Sequence, residues 1–321
     1  MAGEFELIAR HFTRAGRPPA PGVVLGVGDD CALLAPSPGQ QLAVSTDVLV
    51  EGRHFLSTVA PERLGHKALA VNLSDLAACG AAPLAFTLSL SLPRGDDAFA
   101  EGLARGLFAL ADAHGIALVG GDTTAGPLTI GITVLGQVPP GQALLRSGAR
   151  AGDRLWVSGR LGDARLALEV FRGRVALPGE DFEAARRAME LPQPRVALGL
   201  ALRGVATAAI DLSDGLVGDL GHVLARSGVG ATVAVDRIPR SPMLAAQPMA
   251  LQHTCVLAGG DDYELLFTAP AAQDEAVRAA GARAGVAVAP IGHIETEPGL
   301  RLVDDAGRPV AFAERGFDHF A

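Results

Sequence analysis

The sequence predicts a globular protein of mixed α-helix and β-strand, divided into two domains. Its 321 residues are more than a single hydrophobic core usually organises. The 40 glycines and 21 prolines are dispersed between apolar runs, which is typical of many short turns between regular elements. Because 49% of the residues are hydrophobic but only 4% are aromatic, we expect cores built from Ala, Leu and Val. We place the two domains at residues 1–137 and 138–321.

The first domain has the pattern of an α+β fold with much antiparallel pairing. Apolar residues recur at helical spacing in three segments, which predicts helices at residues 4–12, at 61–79 and from 99 to near Gly115. Apolar runs bounded by turn residues predict strands at residues 23–32, 42–44, 85–92, 116–119 and 128–135. Residues 85–92 alternate between apolar and hydroxyl side chains, as expected of an antiparallel strand with one packed face. The turn-forming composition of residues 16–22 and 137–141 predicts a loop and a linker.

The second domain alternates short apolar strands with helical segments. Strands are predicted at residues 154–158, 207–210, 231–235 and 265–268. Helices are predicted at residues 163–171, at 195–202 and from 216 onward, the last carrying Asp219 and His222. The triplet Gly259-Gly260-Asp261 repeats Gly120-Gly121-Asp122, which hints at an internal duplication.

Charge and cysteine content exclude several classes of protein. The formal charge is −8, from 27 basic and 35 acidic residues, and no basic run favours nucleic-acid binding. No apolar stretch is long enough to suggest a membrane span. The three cysteines are odd in number and far apart, as in a reducing compartment, and the N-terminal residues lack the apolar core of a signal peptide. We therefore expect a cytoplasmic protein.

Acidic residues recur where predicted strands and helices end. The segment Ser45-Thr46-Asp47 follows the apolar residues 42–44 and offers hard oxygen ligands, which suit Mg²⁺. An ordinary strand end with an Asp turn is the alternative for that segment taken alone. Five such clusters are present: Asp29 with Asp30, Asp47, Asp75, Asp122, and Asp211 with Asp214.

A metal-mediated nucleotide site accounts for these clusters together. Converging carboxylates repel one another by about 1 kcal/mol in water at 4 Å separation, and by more in a protein cleft. Several Mg²⁺ ions between the carboxylates and a polyphosphate would neutralise both. A P-loop is excluded because Ala68 follows the only lysine, Lys67, and a dinucleotide-binding glycine motif is excluded because Cys31 replaces its third glycine. The pattern predicts phosphoryl transfer that depends on positioning and charge neutralisation.

The ordered set of motifs resembles the thiamine-monophosphate kinases, members of the wider aminoimidazole-ribonucleotide synthetase-like superfamily. These motifs are Gly28-Asp29-Asp30, Ser45-Thr46-Asp47 with Glu51 and His54-Phe55, residues 67–78, Gly120–Thr124, Arg146–Ala149 and Asp211–Leu216. The resemblance implies a two-domain aminoimidazole-ribonucleotide synthetase-like fold. Its N-terminal domain would bind ATP and Mg²⁺, and its sheet would form a barrel with that of a second subunit, giving a homodimer. Its C-terminal α/β domain would close the active-site cleft.

The resemblance also implies roles for individual residues. The implied magnesium ligands are Asp30, Ser45, Thr46, Asp47, Asp75, Asp122, Asp211 and Asp214. The implied ATP contacts are Gly121, Asp122, Arg146 and Ser213, and the implied thiamine-phosphate contacts are His54, Asp261 and Phe317. Asp47, Asp75, Asp122 and Arg146 are the expected catalytic residues. The sequence departs from the family pattern at Asp261, where Glu is usual, and at Phe317, where Tyr or Trp stands in relatives.

The implied activity is ATP-dependent phosphorylation of thiamine monophosphate to thiamine diphosphate by direct in-line transfer. The acceptor is an ionised phosphate oxygen, so a strong general base is not needed. Two alternatives remain open from the sequence: another ATP-using synthetase of the same superfamily, and a non-catalytic nucleotide-binding dimer.

Overall fold

The computed structural model describes residues 4–14, 20–314 and 316, which fall into two compact units. Unit 1 comprises Met1–Leu76 and Ala81–Gly141, and unit 2 comprises Ala77–Gly80 and Gln142–Ala321. Part of the loop predicted at residues 16–22, and Phe317, lie outside the described residues. No helix in the described ranges combines the length and the apolar character needed to cross a membrane.

Unit 1 is a four-stranded sheet with helices and a small β-hairpin. Its helices are α1 (Glu4–Leu7), continued by a π-helical turn Ile8–Phe12, α2 (Pro61–Ala78) and α3 (Asp97–His114). Its strands are β1 (Val23–Leu25), β2 (Leu33–Leu34), β3 (Gln41–Val50), β4 (Ala82–Leu92), β5 (Ala117–Ala125) and β6 (Thr129–Val138). The sheet order is β3-β6-β4-β5, antiparallel except for the parallel pair β4–β5.

The helices of unit 1 begin and end where local chemistry predicts. Pro61 opens α2, where its missing N–H costs nothing. The side chain of Asp96 caps α3 by accepting from the Phe99 N–H at 3.1 Å. Gly115 ends α3 in the left-handed conformation, with φ of 62°. These signals are local, so the sequence located both helices correctly.

Several predicted strand ends in unit 1 are wrong. Ser45-Thr46-Asp47 does not end a strand, because β3 continues through Val50 and pairs with β6 along its whole length. Likewise β5 continues through Gly120–Thr124 because these residues pair with β4 across a register shift. Conversely, the strand predicted at residues 23–32 stops at Leu25 and turns back as the β1–β2 hairpin. Gln137 and Val138 belong to β6 rather than to a linker.

Unit 2 is built on a six-stranded sheet in the order β12-β9-β11-β7-β10-β8. The strands are β7 (Asp153–Ser158), β8 (Ala208–Asp211), β9 (Gly230–Ala234), β10 (Leu265–Pro270), β11 (Val288–Glu295) and β12 (Gly299–Val303). Four of the five neighbouring pairs are antiparallel, and only β12 and β9 are parallel. This mixed α/β architecture confirms the predicted fold class, with more antiparallel pairing than the alternation of elements suggested.

The helices of unit 2 cover a core of aliphatic side chains. They are α4 (Asp163–Phe171), α5 (Gly179–Glu190), α6 (Val196–Ala201), α7 (Leu216–Ser227), α8 (Pro242–Ala245), α9 (Met249–Ala258) and α10 (Asp274–Ala284). The main buried cluster contains Leu, Val, Ile and Ala with one cysteine, as the composition predicted. The sequence analysis did not predict α5, α8, α9, α10, β11 or β12.

Candidate active site

In unit 1, strand β3 and helix α2 bring oxygen and nitrogen groups together. Ser45 Oγ donates a hydrogen bond to Asp75 Oδ2. One turn earlier on α2, Asn72 Oδ1 accepts from the Asp47 backbone N–H at 3.1 Å. Asn72 is 1% exposed and its Nδ2 donates to the Ala68 carbonyl at 3.0 Å, which fixes the amide orientation. The helix therefore places Asp75 against the face of β3 that carries Ser45 and Asp47.

The alternation of β3 separates the three adjacent residues Ser45, Thr46 and Asp47. Ser45 and Asp47 lie on the half-buried face, next to α2. Thr46 is exposed on the opposite face, where its hydroxyl pairs with that of Thr133 at 2.9 Å. In this structure the side chains of Ser45 and Asp47 can therefore act together, and that of Thr46 cannot join them on the same face.

The other acids predicted in unit 1 are spread over the sheet. Gly121 aligns with Asp47 through Ile132 and Leu88, a distance of three strand spacings or about 14 Å. Asp122, which follows Gly121, is exposed and lies opposite Ser89. Asp30 is exposed in the loop of the hairpin, its N–H bonded to Asp29 Oδ1 at 2.9 Å.

Within residues 4–14, 20–314 and 316, no three His, Cys, Asp or Glu side chains form a group that could hold a metal ion. Mg²⁺ commonly uses one or two protein carboxylates and completes its six ligands with water and substrate phosphates. Ser45, Asp47 and Asp75 fit that chemistry, because the side-chain ligand atoms that they offer are all hard oxygens.

Gly121 itself has a steric role. Its φ is +145°, and a Cβ at this position would lie 1.8 Å from the Leu88 carbonyl oxygen. Only glycine permits this approach of β5 to β4. The glycine is therefore required by the sheet, whatever ligand Asp122 serves.

The turn after β3 fixes the ring of His54. The Val50 N–H donates to His54 Nδ1 at 3.0 Å, and the His54 N–H donates to the Val50 carbonyl at 3.0 Å. A neutral imidazole that accepts at Nδ1 carries its hydrogen on Nε2, so Nε2 is the donor. Lys67, which is 2% exposed, donates to the His54 carbonyl at 3.3 Å and supports the turn from α2.

In unit 2, the acidic turn (residues 211–214) begins at the last residue of strand β8. Asp211 is the last residue of β8 and is 5% exposed. Three backbone hydrogen bonds tie the acidic turn to residues 261–264: Leu212 N–H to the Glu264 carbonyl at 2.9 Å, Tyr263 N–H to the Leu212 carbonyl at 2.9 Å, and Asp261 N–H to the Ser213 carbonyl at 2.8 Å. The structure thus brings together Asp211, Ser213, Asp214 and Asp261, which the sequence placed about fifty residues apart.

Asp219 on α7 shapes the acidic turn and was missed as a site residue. Its Oδ2 accepts from the backbone N–H groups of Asp214 and Gly215, each at 3.1 Å. Burial and the negative charge of Asp214 raise the pKa of Asp219 to about 7, against the opposing effect of those two hydrogen bonds and of Arg146. The sequence did offer one signal for this role, because Asp219 lies in the first helical turn of α7, directly after the acidic turn.

Arg146 lies beside the same strand. The residue before it, Leu145, accepts from the Ala209 N–H on β8 at 2.9 Å. Ser227 Oγ at the end of α7 donates to the Arg146 carbonyl and accepts from the N–H groups of Gly148 and Ala149, each at 3.2 Å. The positive charge of Arg146 opposes the rise in the pKa of Asp219, so the two groups interact electrostatically.

The loop before β10, which we call the glycine–acid loop (residues 259–264), has an unusual backbone. Asp261 and Tyr263 have φ values of 63° and 51°, the left-handed region that costs a non-glycine residue about 1–2 kcal/mol. Between them, burial raises the pKa of Asp262 well above its ordinary value, although the Gly162 N–H donates to its Oδ1 at 2.9 Å. The backbone strain at Asp261 and Tyr263 persists only where surrounding contacts hold these residues in the left-handed conformation.

Comparison with known sequences identifies the class to which these two units belong. Residues 28–138 match the family described as AIR synthase related protein, N-terminal domain, and residues 150–305 match the corresponding C-terminal domain. The thiamine-monophosphate kinase of Salmonella typhimurium is 46% identical over 324 residues, covering 99% of this chain and 98% of that protein.

Solved structures give the same result. The thiamine-monophosphate kinase of Stenotrophomonas maltophilia K279a has a TM-score of 0.84 and 44% identity, covering 95% of each chain. A structure described as AaThiL complexed with AMPPCP and TMP has a TM-score of 0.76 and 29% identity, covering 89% of each chain. The chain therefore belongs to the AIR synthase-related proteins and, within them, to the thiamine-monophosphate kinase family, which confirms the resemblance drawn from its motifs.

Proposed function

We propose that this protein catalyses the ATP-dependent phosphorylation of thiamine monophosphate to thiamine diphosphate. The observation that carries the proposal is its 46% identity to a thiamine-monophosphate kinase along nearly the whole of both chains. A related structure described as a complex with AMPPCP and TMP supports the choice of both substrates.

The metal ligands in this proposal are the predicted oxygen donors. In unit 1 they are Asp30, Ser45, Asp47, Asp75 and Asp122, and in unit 2 they are Asp211 and Asp214. Thr46, predicted with them, is left out because its side chain lies on the opposite face of β3 and pairs with Thr133. The contact between Ser45 and Asp75 supports a role for this pair as ligands of one ion. Magnesium, when bound, would neutralise the phosphate charge and polarise the transferred phosphoryl group.

The proposed contacts to ATP and to thiamine monophosphate follow from the charge and hydrogen-bonding capacity of each side chain. Arg146, Gly121, Asp122 and Ser213 are proposed to hold ATP, Arg146 through charge-assisted hydrogen bonds to phosphate oxygens. His54 would donate from Nε2 to an oxygen of thiamine monophosphate, since Nδ1 is occupied by the Val50 N–H. Asp261 would balance the positive thiazolium ring, and Phe317 would offer its face to the same cation.

The proposed transfer is direct, from ATP to the phosphate oxygen of thiamine monophosphate, without a phosphorylated enzyme. Because the acceptor oxygen is already ionised, the residues need only bind, orient and neutralise charge. Rapid-quench experiments with γ-labelled ATP should find label in thiamine diphosphate and none covalently bound to protein. Covalent label that forms and decays at the turnover rate would refute the direct mechanism.

The open face of the unit 1 sheet supports the expected homodimer. On β3, Val44 and Val48 are 61% and 48% exposed, next to the exposed Thr46. Clustered exposed aliphatic residues on a sheet are typical of a protein interface. We propose that a second copy of this chain covers this face.

The decisive assay combines the protein, Mg²⁺, ATP and thiamine monophosphate. We expect ADP and thiamine diphosphate in equal amounts. ADP without thiamine diphosphate would refute the proposed function and favour another ATP-using reaction.

Asp47→Asn tests the metal assignment. Loss of the carboxylate charge at a metal ligand should reduce kcat at least about a hundredfold, equivalent to about 2.7 kcal/mol, while the backbone N–H bond to Asn72 and the fold remain. Asp181→Asn on α5, outside the site, is the control and should keep wild-type turnover. A near-normal rate for Asp47→Asn at ordinary Mg²⁺ would contradict the assignment.

A further inference from the structure

The glycine–acid loop ends at a hydrogen-bonded group, which we call the Arg195 clamp (Ser158, Arg195 and Glu264), in which Glu264 is buried and Arg195 is partly buried. Glu264 is 5% exposed, and both of its carboxylate oxygens accept from Arg195, from Nε at 2.7 Å and from Nη2. Ser158 Oγ donates to the same carboxylate at 2.5 Å and accepts from the Leu265 N–H at 2.8 Å. This fork geometry fixes the orientation of Glu264.

The carboxylate of Glu264 packs closely against Gly159. A Cβ on Gly159 would lie 1.9 Å from Glu264 Oε1, so the carboxylate occupies the position that a side chain on Gly159 would need. The Glu264 carbonyl is also engaged, accepting from the Leu212 N–H at 2.9 Å. Glu264 is therefore held at its side chain and its backbone at once.

The clamp holds the end of the loop whose backbone is strained. Asp261 and Tyr263 are both left-handed, and Glu264 follows them directly. On the other side of the loop, a Cβ on Gly260 would lie 2.6 Å from the Ser213 carbonyl oxygen, so the loop approaches the acidic turn closely. Without a fixed Glu264, the two left-handed residues would relax toward ordinary conformations.

The acids of the acidic turn are held by residues outside the glycine–acid loop. Asp214 is held by Asp219 on α7, and Asp211 pairs with Leu265 in the sheet. Asp261 instead lies within that loop, three residues before Glu264, and its N–H donates to the Ser213 carbonyl at 2.8 Å. Loss of the clamp should therefore disturb Asp261 more than the acids of the turn.

We propose that the Arg195 clamp is a positioning device that sets the affinity for the cationic substrate by holding Asp261 in its left-handed conformation. The inference rests on the proposed function, in which Asp261 balances the thiazolium charge. Ser158, Arg195 and Glu264 act through the loop and do not themselves touch the substrate.

The test separates binding of thiamine monophosphate from binding of ATP. Glu264→Gln keeps the shape of the side chain but loses the charge and one acceptor. We expect KM for thiamine monophosphate to rise at least tenfold and KM for ATP to change less than threefold. Titration calorimetry with thiamine monophosphate alone should show the same tenfold loss, independently of turnover.

A matched control is available on α5. Glu190 is also buried, at 3% exposure, and accepts from Arg186 Nε at 2.8 Å, outside the candidate site. Glu190→Gln should lower the melting temperature but leave both KM values within twofold of wild type. If Glu264→Gln does not fold, Arg195→Lys and Ser158→Ala keep the carboxylate and should each raise KM for thiamine monophosphate at least threefold.

Hydrogen exchange gives a readout that needs no activity. The amides of Asp261 and Tyr263 should exchange at least tenfold faster in Glu264→Gln than in wild type, and those of β8 should not. Unchanged exchange, or a lower melting temperature with an unchanged KM for thiamine monophosphate, overturns the proposal. Absence of thiamine diphosphate with the wild-type protein would refute the proposed function instead, and the exchange rates would still decide on the clamp.

Discussion

Neighbouring acids in unit 2 differ in proton affinity because their surroundings differ. Burial raises the pKa of Asp262, and the charges of Glu264, Asp163 and Asp261 raise it further. The pKa of Asp163 is raised as well, chiefly by burial, although the Ser241 hydroxyl donates a hydrogen bond to its carboxylate. By contrast, Asp304, which is partly exposed, has a lowered pKa, mainly because the Arg308 N–H donates to it. Burial dominates the pKa shifts of Asp262 and Asp163, whereas hydrogen bonding dominates that of Asp304.

Asp262 should make stability depend on pH. Its pKa in the folded protein is above that of the unfolded chain, so its stabilising contribution is full below about pH 4 and is lost as pH rises through the folded value. Asp262→Asn keeps an acceptor for the Gly162 N–H and removes the titration. We expect its melting temperature relative to wild type to increase from pH 4 to pH 8, in thermal melts without Mg²⁺. A difference that does not change with pH would contradict the assignment.

Asp219 should act through its hydrogen bonds to the acidic turn. Asp219→Ala leaves the N–H groups of Asp214 and Gly215 without their acceptor, and we expect kcat/KM to fall at least tenfold. Asp219→Asn retains a carbonyl oxygen in the same place and should remain within about threefold of wild type. Steady-state kinetics on both variants checks this. Equal losses would mean that the charge, not the acceptor, is what matters.

At the scale of elements, α2 and α3 approach each other through glycines. A Cβ on Gly65 would lie 2.0 Å from the Leu103 carbonyl oxygen, and one on Gly106 would lie 1.8 Å from that of Glu62. These contacts are to backbone, which cannot move aside as a flexible side chain can. The helical periodicity of α2 and α3 predicted both helices, but it could not show that their glycines serve close packing.

Gly106→Ala should therefore destabilise unit 1. The added methyl group forces the helices apart, and overpacking of this kind costs about 1–3 kcal/mol or more. Gly221→Ala on α7 is the control, because a Cβ there meets nothing within 4 Å and alanine favours a helix interior by up to about 1 kcal/mol. Urea unfolding should show opposite signs for the two variants. A neutral Gly106→Ala would contradict the close approach.

Strand boundaries near the site were harder to predict than helices. Polar residues at 45–47 and 120–124 resemble strand ends because Ser, Asp and Gly are common in turns. In the structure both segments continue as strands, since a partner strand satisfies their backbone groups. The partner is distant in sequence, so local composition could not reveal it.

At the scale of the whole molecule, the exposed face of β3 is the part of unit 1 proposed to meet a second copy. Val44→Glu places a charge in the proposed interface and should shift the protein from dimer to monomer. Val24→Glu, at a residue that is 64% exposed on β1, is the control and should remain dimeric. Sedimentation velocity at several concentrations distinguishes the two. A dimeric Val44→Glu would exclude this face as the interface.

The sequence by itself determined the family, the mixed α/β class and the acids that a magnesium-dependent kinase would need, because these depend on residue types in a fixed order. Only the tertiary structure decided which of those groups meet. Alternation along β3 separates Thr46 from Ser45 and Asp47, while α2 brings Asp75 to Ser45. The roles of Asp219 and of the Arg195 clamp are visible only in the tertiary structure. Their hydrogen bonds join segments whose contact depends on strand pairing and burial rather than on local spacing.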